Sequence, residues 1–340
     1  MWHRVESRCH RFKDFVKTAP GALKGDRPLN PTSPPLAVRF SRVKLFLALS
    51  RTPHGLLDLA TPALAALLGY GGLPPFGVIA LGLLTGFAGY TAVYALNDVM
   101  DYRVDQEKLK AAGPNPKPGY LDAIFMRHPL AQGRVSFGEG VLWVAAWAAL
   151  ALAGAYRLNP VCAYIFLAGC LLEAVYCRLL RVSHLRTLVS GLVKTLGGVA
   201  AVFAVSPHPS PGLVLLLFLW LFSWEIGGQN IPADWHDLEE DQRLGAQTMP
   251  VRYGPEGAGA IILGALALSV ALSVLLLWVA PLRFSPLLVG LAVAAGGYLL
   301  LLPGYRLYRT KDPAQAAALF NRASAYPLAM LGLALASLVS

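Results

Sequence analysis

Charge is scarce in this sequence. Asp, Glu, Lys and Arg make up 14% of its 340 residues, where a soluble domain carries about a quarter. That supply is too small to cover the surface of a soluble protein of this length. Cysteine is nearly absent. Cys9, Cys162, Cys170 and Cys177 include no C-x-x-C pair, which excludes a thiolate zinc site and a disulfide framework and leaves them as small apolar packing residues. Residues 1–44 hold no apolar run of the length a secretory leader needs, and with Glu6, Asp14 and Asp26 and few serines they do not favour a transit peptide either.

Long apolar blocks fill the remainder. Hydrophobic residues are 56% of the chain and the mean hydropathy is +0.53. Several blocks reach the roughly 20 residues that cross a bilayer as a helix. We predict an all-α, polytopic membrane bundle of about nine transmembrane helices, at 53–70, 76–97, 138–156, 160–179, 187–205, 212–230, 257–279, 285–303 and 317–338. Breaks fall at Gly71, Pro160, Ser206, Pro281 and Pro303. Residues 1–44 are predicted as a basic arm, flexible or amphipathic, and 45–340 as one membrane domain.

The net charge of +10 would suggest nucleic acid in a soluble protein. Here the basic residues crowd the arm and alternate loops, the pattern that orients a membrane protein, so no nucleic-acid partner is expected. Arg103, Lys108, Lys110, Lys117, Arg127 and Arg134 follow the second span, and Arg178, Arg181 and Arg186 the fourth, while the first and fifth loops hold none. This places the N-terminus inside and the C-terminus outside, in a cytoplasmic membrane of bacterial type.

The few acidic residues concentrate twice, as D-x-x-D-x-x-x-D at Asp98, Asp101 and Asp105 and again at Asp234, Asp237 and Asp241. On a helix this spacing lines one face, and by the charge census both stripes open on the cytoplasmic side. Carboxylates crowded beside a bilayer are costly when all are ionised, and oxygen ligands without His or Cys point to Mg²⁺. On the residues alone three classes stay open: an enzyme that uses Mg²⁺ on a diphosphate, a divalent-cation transporter or channel, and a scaffold whose acidic ends simply face water.

The motifs resemble those of the UbiA superfamily of intramembrane prenyltransferases. The first acidic cluster, begun by Asn97, is similar to that family's N-D-x-x-D-x-x-x-D, and the second to its D-x-x-D-x-x-x-D. The run from His128 through Gly133 to Ser136 is similar to its R-P-L-x-S-G-x-x-S loop, Leu244–Gly254 to the stretch after its second motif, and Tyr176–Arg181 to its Y-x-x-x-L-K. The resemblance covers roughly residues 40–340. It implies Mg²⁺-dependent transfer of a polyprenyl group from an isoprenyl diphosphate to a small aromatic or quinone-precursor acceptor, or to a non-aromatic acceptor, or cyclisation of the chain.

Carried over residue by residue, the resemblance makes Asp98, Asp101, Asp105, Asp234, Asp237 and Asp241 metal ligands. Asp98, Asp101, Asp234 and Asp237 are then catalytic, and Asn97 and Arg181 hold diphosphate. Our own reading adds Lys194, an intramembrane cation, with Arg134 and Arg51 as further diphosphate candidates. Lys194 has Glu173 and Glu225 as alternative ion-pair partners, and Glu225 is also placed to orient an acceptor hydroxyl. Tyr90, Tyr94, Trp224 and Trp235 are cation–π candidates, each also readable as packing. The chain departs from the family pattern at His128, where Arg is usual, at Arg181, where Lys is usual, and in a longer 106–127 segment, whose residues from Tyr120 to Met126 read as a lid or an acceptor-binding element.

Overall fold

The computed structural model describes residues 41–112 and 120–339, so the predicted arm lies almost wholly outside the described residues. The first helix, α1 (Arg42–Leu49), already begins within the arm's expected range, with Ser41 accepting from the Lys44 amide. No strand occurs among the described residues.

After α1 come α2 (Thr52–Asp58), α3 (Ala60–Tyr70), α4 (Phe76–Met100) and α5 (Tyr102–Ala112). A second group follows: α6 (Phe137–Leu158), α7 (Pro160–Arg178), α8 (Arg186–Val205), α9 (Pro211–Trp224), α10 (Ile231–His236) and α11 (Leu238–Leu244). The last group is α12 (Met249–Val279), kinked where Gly254 leaves helical backbone (φ 65°), α13 (Pro286–Gly296), α14 (Leu302–Thr310) and α15 (Pro313–Ala336). Helix starts follow local chemistry. Ser136 and Glu139 form a reciprocal capping box on α6. Asn159 caps α7, Asp312 caps α15, and proline takes the first turn of both.

Among the described residues seven helices are long and apolar enough to cross a membrane: 76–100, 137–158, 160–178, 186–205, 211–236, 249–279 and 286–310. Two of these run past the predicted ends. Helix α9 continues through a π-helical stretch, Glu225–Asn230, into α10. Helix α13 continues through another, Gly297–Leu301, into α14, so the predicted break at Pro303 is not a break. Pro303 follows closely on the π-helical stretch, the kind of irregular turn with which a helix accommodates an internal proline. The predicted first span is split at Leu59 into α2 and α3. It and α15 complete the bundle without meeting the same length and hydropathy test.

The core lies where α3, α8, α9, α12 and α15 meet. Trp220, Trp224, Trp235 and Tyr326 are fully buried there with Leu217, Ile262 and Leu266. Small residues set the helix spacing, as expected where lipid supplies no hydrophobic drive between helices. A Cβ on Gly198 would lie 2.5 Å from Leu221 Cδ1, so glycine lets α8 and α9 cross there without displacing the Leu221 side chain. Trp224 and Trp235, two of the cation–π candidates, belong to this core, and Trp224 Nε1 donates to the Ala323 carbonyl at 2.9 Å.

Candidate active site

One cavity of about 610 Å³ runs down the inside of the bundle. Its mouth is lined by Asn97, Asp98, Asp101, Asp105 and Lys108 on one side and Asp234, Asp237 and Asp241 on the other. Its lower walls are apolar, from Val78, Leu83 and Gly86 of α4 to Ile165, Phe166 and Ala200 of α7 and α8. The fold thus brings both acidic clusters to one opening.

Neither cluster is the continuous helical stripe that its spacing predicts. The helix breaks at the middle carboxylate of each: Asp101 (φ −89°, ψ 5°) separates α4 from α5, and Asp237 (φ −98°, ψ 11°) separates α10 from α11. Both residues occupy the sparsely allowed bridge region, which recurs in turns and active sites. The turn brings the third carboxylate of each cluster back over the cavity mouth.

Each carboxylate except Asp101 faces a basic side chain. Arg51, between α1 and α2 with a left-handed backbone (φ 44°), donates to Asn97 Oδ1 at 2.8 Å and to Asp98 Oδ1 at 3.2 Å. His128, also left-handed (φ 50°), sets Nδ1 2.8 Å from Asp105 Oδ2 and 3.9 Å from Asp98 Oδ1. Arg186 Nη1 donates to Asp234 Oδ1 at 3.0 Å and lies 4.0 Å above the Tyr176 ring. Arg127 donates to Asp237 at 2.9 Å and to Glu240 at 2.8 and 3.0 Å. Lys108 Nζ is 3.7 Å from Asp241 Oδ1. Asp101 has no side-chain hydrogen bond or ion pair among the described residues; burial, then the Asp105 charge, push its carboxyl up to about 7.

Residues 120–127, the described part of the long segment after α5, close over this mouth. The Tyr120 ring stacks between Phe320 and His236, and Asn321 Oδ1 accepts from the Leu121 amide at 3.1 Å. Asp122 accepts from Arg51 at 3.3 Å and lies 2.5 Å from His54 Nδ1. Burial opposes its ionisation, but His54 and Arg51 outweigh that and hold it down at about 2.

The other candidates fall in different places. Lys194 lines the cavity, but its partner is neither Glu173 nor Glu225. It donates to Asp58 Oδ2 at 2.6 Å and to the Tyr94 hydroxyl at 2.8 Å, and Tyr94 donates in turn to Asp58. Glu173 accepts from Asn97 Nδ2 at 2.7 Å, which fixes that amide. Tyr90 and Tyr94 line the wall. Arg181 lies outside the cavity lining, 44% exposed and paired with Glu107. Arg134 is exposed in a shallow surface depression with Gln106 and Lys110. Sequence reasoning missed Arg186, His54 and Asp58 as site residues and held Asp122 only as part of the Tyr120–Met126 element. Of the three, His54 and Asp58, ionisable residues inside a predicted span, carried a signal that was there to be read.

The residues suit a divalent cation. Asp98, Asp105 and His128 each offer a ligand atom, all within 4.8 Å of one another. Across the mouth, Asp234 Oδ2 and Asp241 Oδ1 are buried without hydrogen-bond partners, acceptors that a hard cation would satisfy.

Known proteins match this chain closely in fold and more distantly in sequence. Residues 59–330 match the model of the UbiA prenyltransferase family. The 4-hydroxybenzoate octaprenyltransferase of Idiomarina loihiensis is 28% identical over 264 residues, 77% of this chain and 85% of that one. The digeranylgeranylglyceryl phosphate synthase of Thermococcus sibiricus is 27% identical over 220 residues, 64% and 72% of the two chains. The apo structure of a UbiA homologue from Aeropyrum pernix K1 superposes with a TM-score of 0.67 at 22% identity, covering 83% of this chain and 97% of that one. A UbiA homologue from Archaeoglobus fulgidus bound to GPP and Mg²⁺ gives 0.63 at 19% identity, covering 87% and 100%.

Proposed function

The chain belongs to the UbiA prenyltransferase family and is a prenyltransferase, and from that premise we propose that it transfers a polyprenyl group from an isoprenyl diphosphate to a small aromatic or quinone-precursor acceptor inside the membrane. Its apolar helices and its family make it a multi-pass integral membrane protein. The reading extends to nine crossings, with the N-terminus and the cavity mouth on the cytoplasmic side, as the Lys/Arg distribution favours. The observation that carries the reading is the cavity, acidic and basic at the mouth with apolar lower walls along α4, α7 and α8.

In this reading the diphosphate lies between the two clusters and the prenyl tail lies along α4, α7 and α8. Asp98, Asp101, Asp105, Asp234, Asp237 and Asp241 hold Mg²⁺, with His128 beside the first three. Bound there, Mg²⁺ neutralises charge on the leaving diphosphate. Arg51 is placed to exchange its bonds to Asn97 and Asp98 for diphosphate oxygens, and Arg186 to do the same from Asp234. The allylic carbon–oxygen bond breaks with its electron pair on the diphosphate oxygen. The acceptor's nucleophilic atom supplies the pair for the new bond and releases a proton. The buried walls keep water from the allylic cation, and the Tyr90 and Tyr94 ring faces stabilise it.

The test incubates purified protein with labelled geranylgeranyl diphosphate, Mg²⁺ and a delipidated cytosol extract, and follows pyrophosphate release together with the masses of new lipids. Mg²⁺-dependent release accompanied by a prenylated product of new mass is expected. Release accompanied only by prenyl alcohol or cyclised hydrocarbon, across a range of tail lengths, would overturn transfer to an acceptor.

A further inference from the structure

Below the carboxylates the cavity wall becomes polar a second time. Glu225 opens the π-helical stretch nine residues before Asp234, about 13 Å along the helix. It is 5% exposed and lines the cavity. One of its oxygens accepts from Ser190 Oγ at 2.8 Å, and the other, Oε2, is buried with no hydrogen-bond partner. Farther along the stretch Gln229, 2% exposed, lines the same wall. Its Nε2 is committed to Ser324 Oγ at 3.0 Å and to His54 Nε2 at 3.1 Å, while its Oε1 has no partner. Both orphaned atoms are acceptors, so the wall lacks donors.

The charge balance narrows what those donors belong to. Lys194 faces this level from α8, but its ammonium is bonded to Asp58 and the Tyr94 hydroxyl. Two carboxylates, Asp58 and Glu225, thus surround one lysine. A carboxylate or phosphate placed here would add negative charge beside Glu225 in a medium of low dielectric. We propose that this layer is the acceptor subsite, and that it takes a neutral or cationic molecule whose hydroxyl or N–H groups donate to Glu225 and Gln229, not an anion such as 4-hydroxybenzoate. The proposal rests on the prenyl-transfer reading and specifies its acceptor. Glu225 anchors the acceptor, and the wall below remains free for the tail.

The experiment uses the full chain in nanodiscs, loaded with Mg²⁺ and a non-reacting geranyl thiolodiphosphate. Binding of hydroquinone and of 4-hydroxybenzoate is measured by calorimetry. Hydroquinone is expected to bind at least about tenfold more tightly than 4-hydroxybenzoate. Glu225→Gln is expected to weaken hydroquinone by about tenfold or more, the scale of a hydrogen bond to a charged group, with thiolodiphosphate binding unchanged. Ser190→Ala, a smaller change in the same contact, serves if Glu225→Gln does not fold, and is expected to shift hydroquinone affinity by a few fold. Equal or tighter binding of 4-hydroxybenzoate, or hydroquinone affinity indifferent to both substitutions, would overturn the subsite. Absence of Mg²⁺-dependent thiolodiphosphate binding would instead strike the prenyl-transfer reading, so the two failures are distinguishable.

Discussion

Asp98, Asp101 and Asp105 on one side of the mouth, and Asp234, Asp237 and Asp241 on the other, share a spacing and a helix break at the middle residue. They differ in what neutralises them. The second cluster is met by three fixed cations from elsewhere in the chain, Arg186, Arg127 and Lys108. The first has Arg51 on Asp98 and an imidazole on Asp105, and Asp101 has no ion pair among the described residues, only the more distant charges of Arg186 and Lys108. One sequence motif therefore gives two electrostatic environments: a cluster already balanced by the protein, and one left short of positive charge, where an added cation gains most.

The difference is sharpest at the middle residues. Asp101→Ala is expected to lower Mg²⁺-dependent turnover on the order of 10³-fold, and Asp237→Ala roughly tenfold less, because Arg127 already offsets that carboxylate. Turnover measured across a Mg²⁺ titration checks this, and equal losses would mean the clusters act as equivalents. The balancing cations give the next effect. Arg186→Met strands the buried Asp234 charge and is expected to cost about 3 kcal/mol of stability. Thermal unfolding in detergent should show the loss, and a double variant that also carries Asp234→Leu should recover much of it.

Asp122 extends the comparison to a third carboxylate, one that binds the lid to Arg51 and His54. Its folded value of about 2 lies below the unfolded 3.8. Its contribution is therefore present above pH 4 and disappears as the pH falls through about 2. That depression corresponds to about 2 kcal/mol. The stability gap between Asp122→Asn and the unsubstituted chain, followed by unfolding, should close as the pH falls from about 4 through about 2.

Much of this arrangement was legible because it repeats along the chain. Apolar blocks, proline breaks and two D-x-x-D-x-x-x-D runs are local patterns, and a period of 3.6 residues converts them into helices ending at one mouth. The cations were not legible in the same way. Arg51 and His128 reach the carboxylates through left-handed backbone, which no non-glycine residue advertises. Asp58 finds Lys194 across 136 positions of sequence. The π-helical turn that carries α9 beyond its predicted end sets Gly227 and Gly228 against α12 and α15, where a Cβ at either would lie within 3 Å of Ala265 or Ala323. These features depend on which helices become neighbours, and a motif does not state its neighbours.

Arg181 and Arg186 bring this to the smallest effect and a direct test. Five positions apart, Arg181 on the loop after α7 and Arg186 at the start of α8, they are alike in type, and resemblance to a basic-residue motif favours Arg181. The turn between the helices separates their fates. Arg181 points outward to Glu107, both side chains nearly half exposed, where an ion pair contributes little. Arg186 opens α8, 4% exposed, above Tyr176 and against Asp234. Arg181→Ala is therefore expected to change the KM for the prenyl diphosphate by less than about twofold, against a much larger rise in Arg186→Lys, which keeps the charge but loses the planar fork. If the two variants exchanged ranks, diphosphate would bind nearer the loop surface than the cavity mouth, and the balanced cluster would no longer face the leaving group.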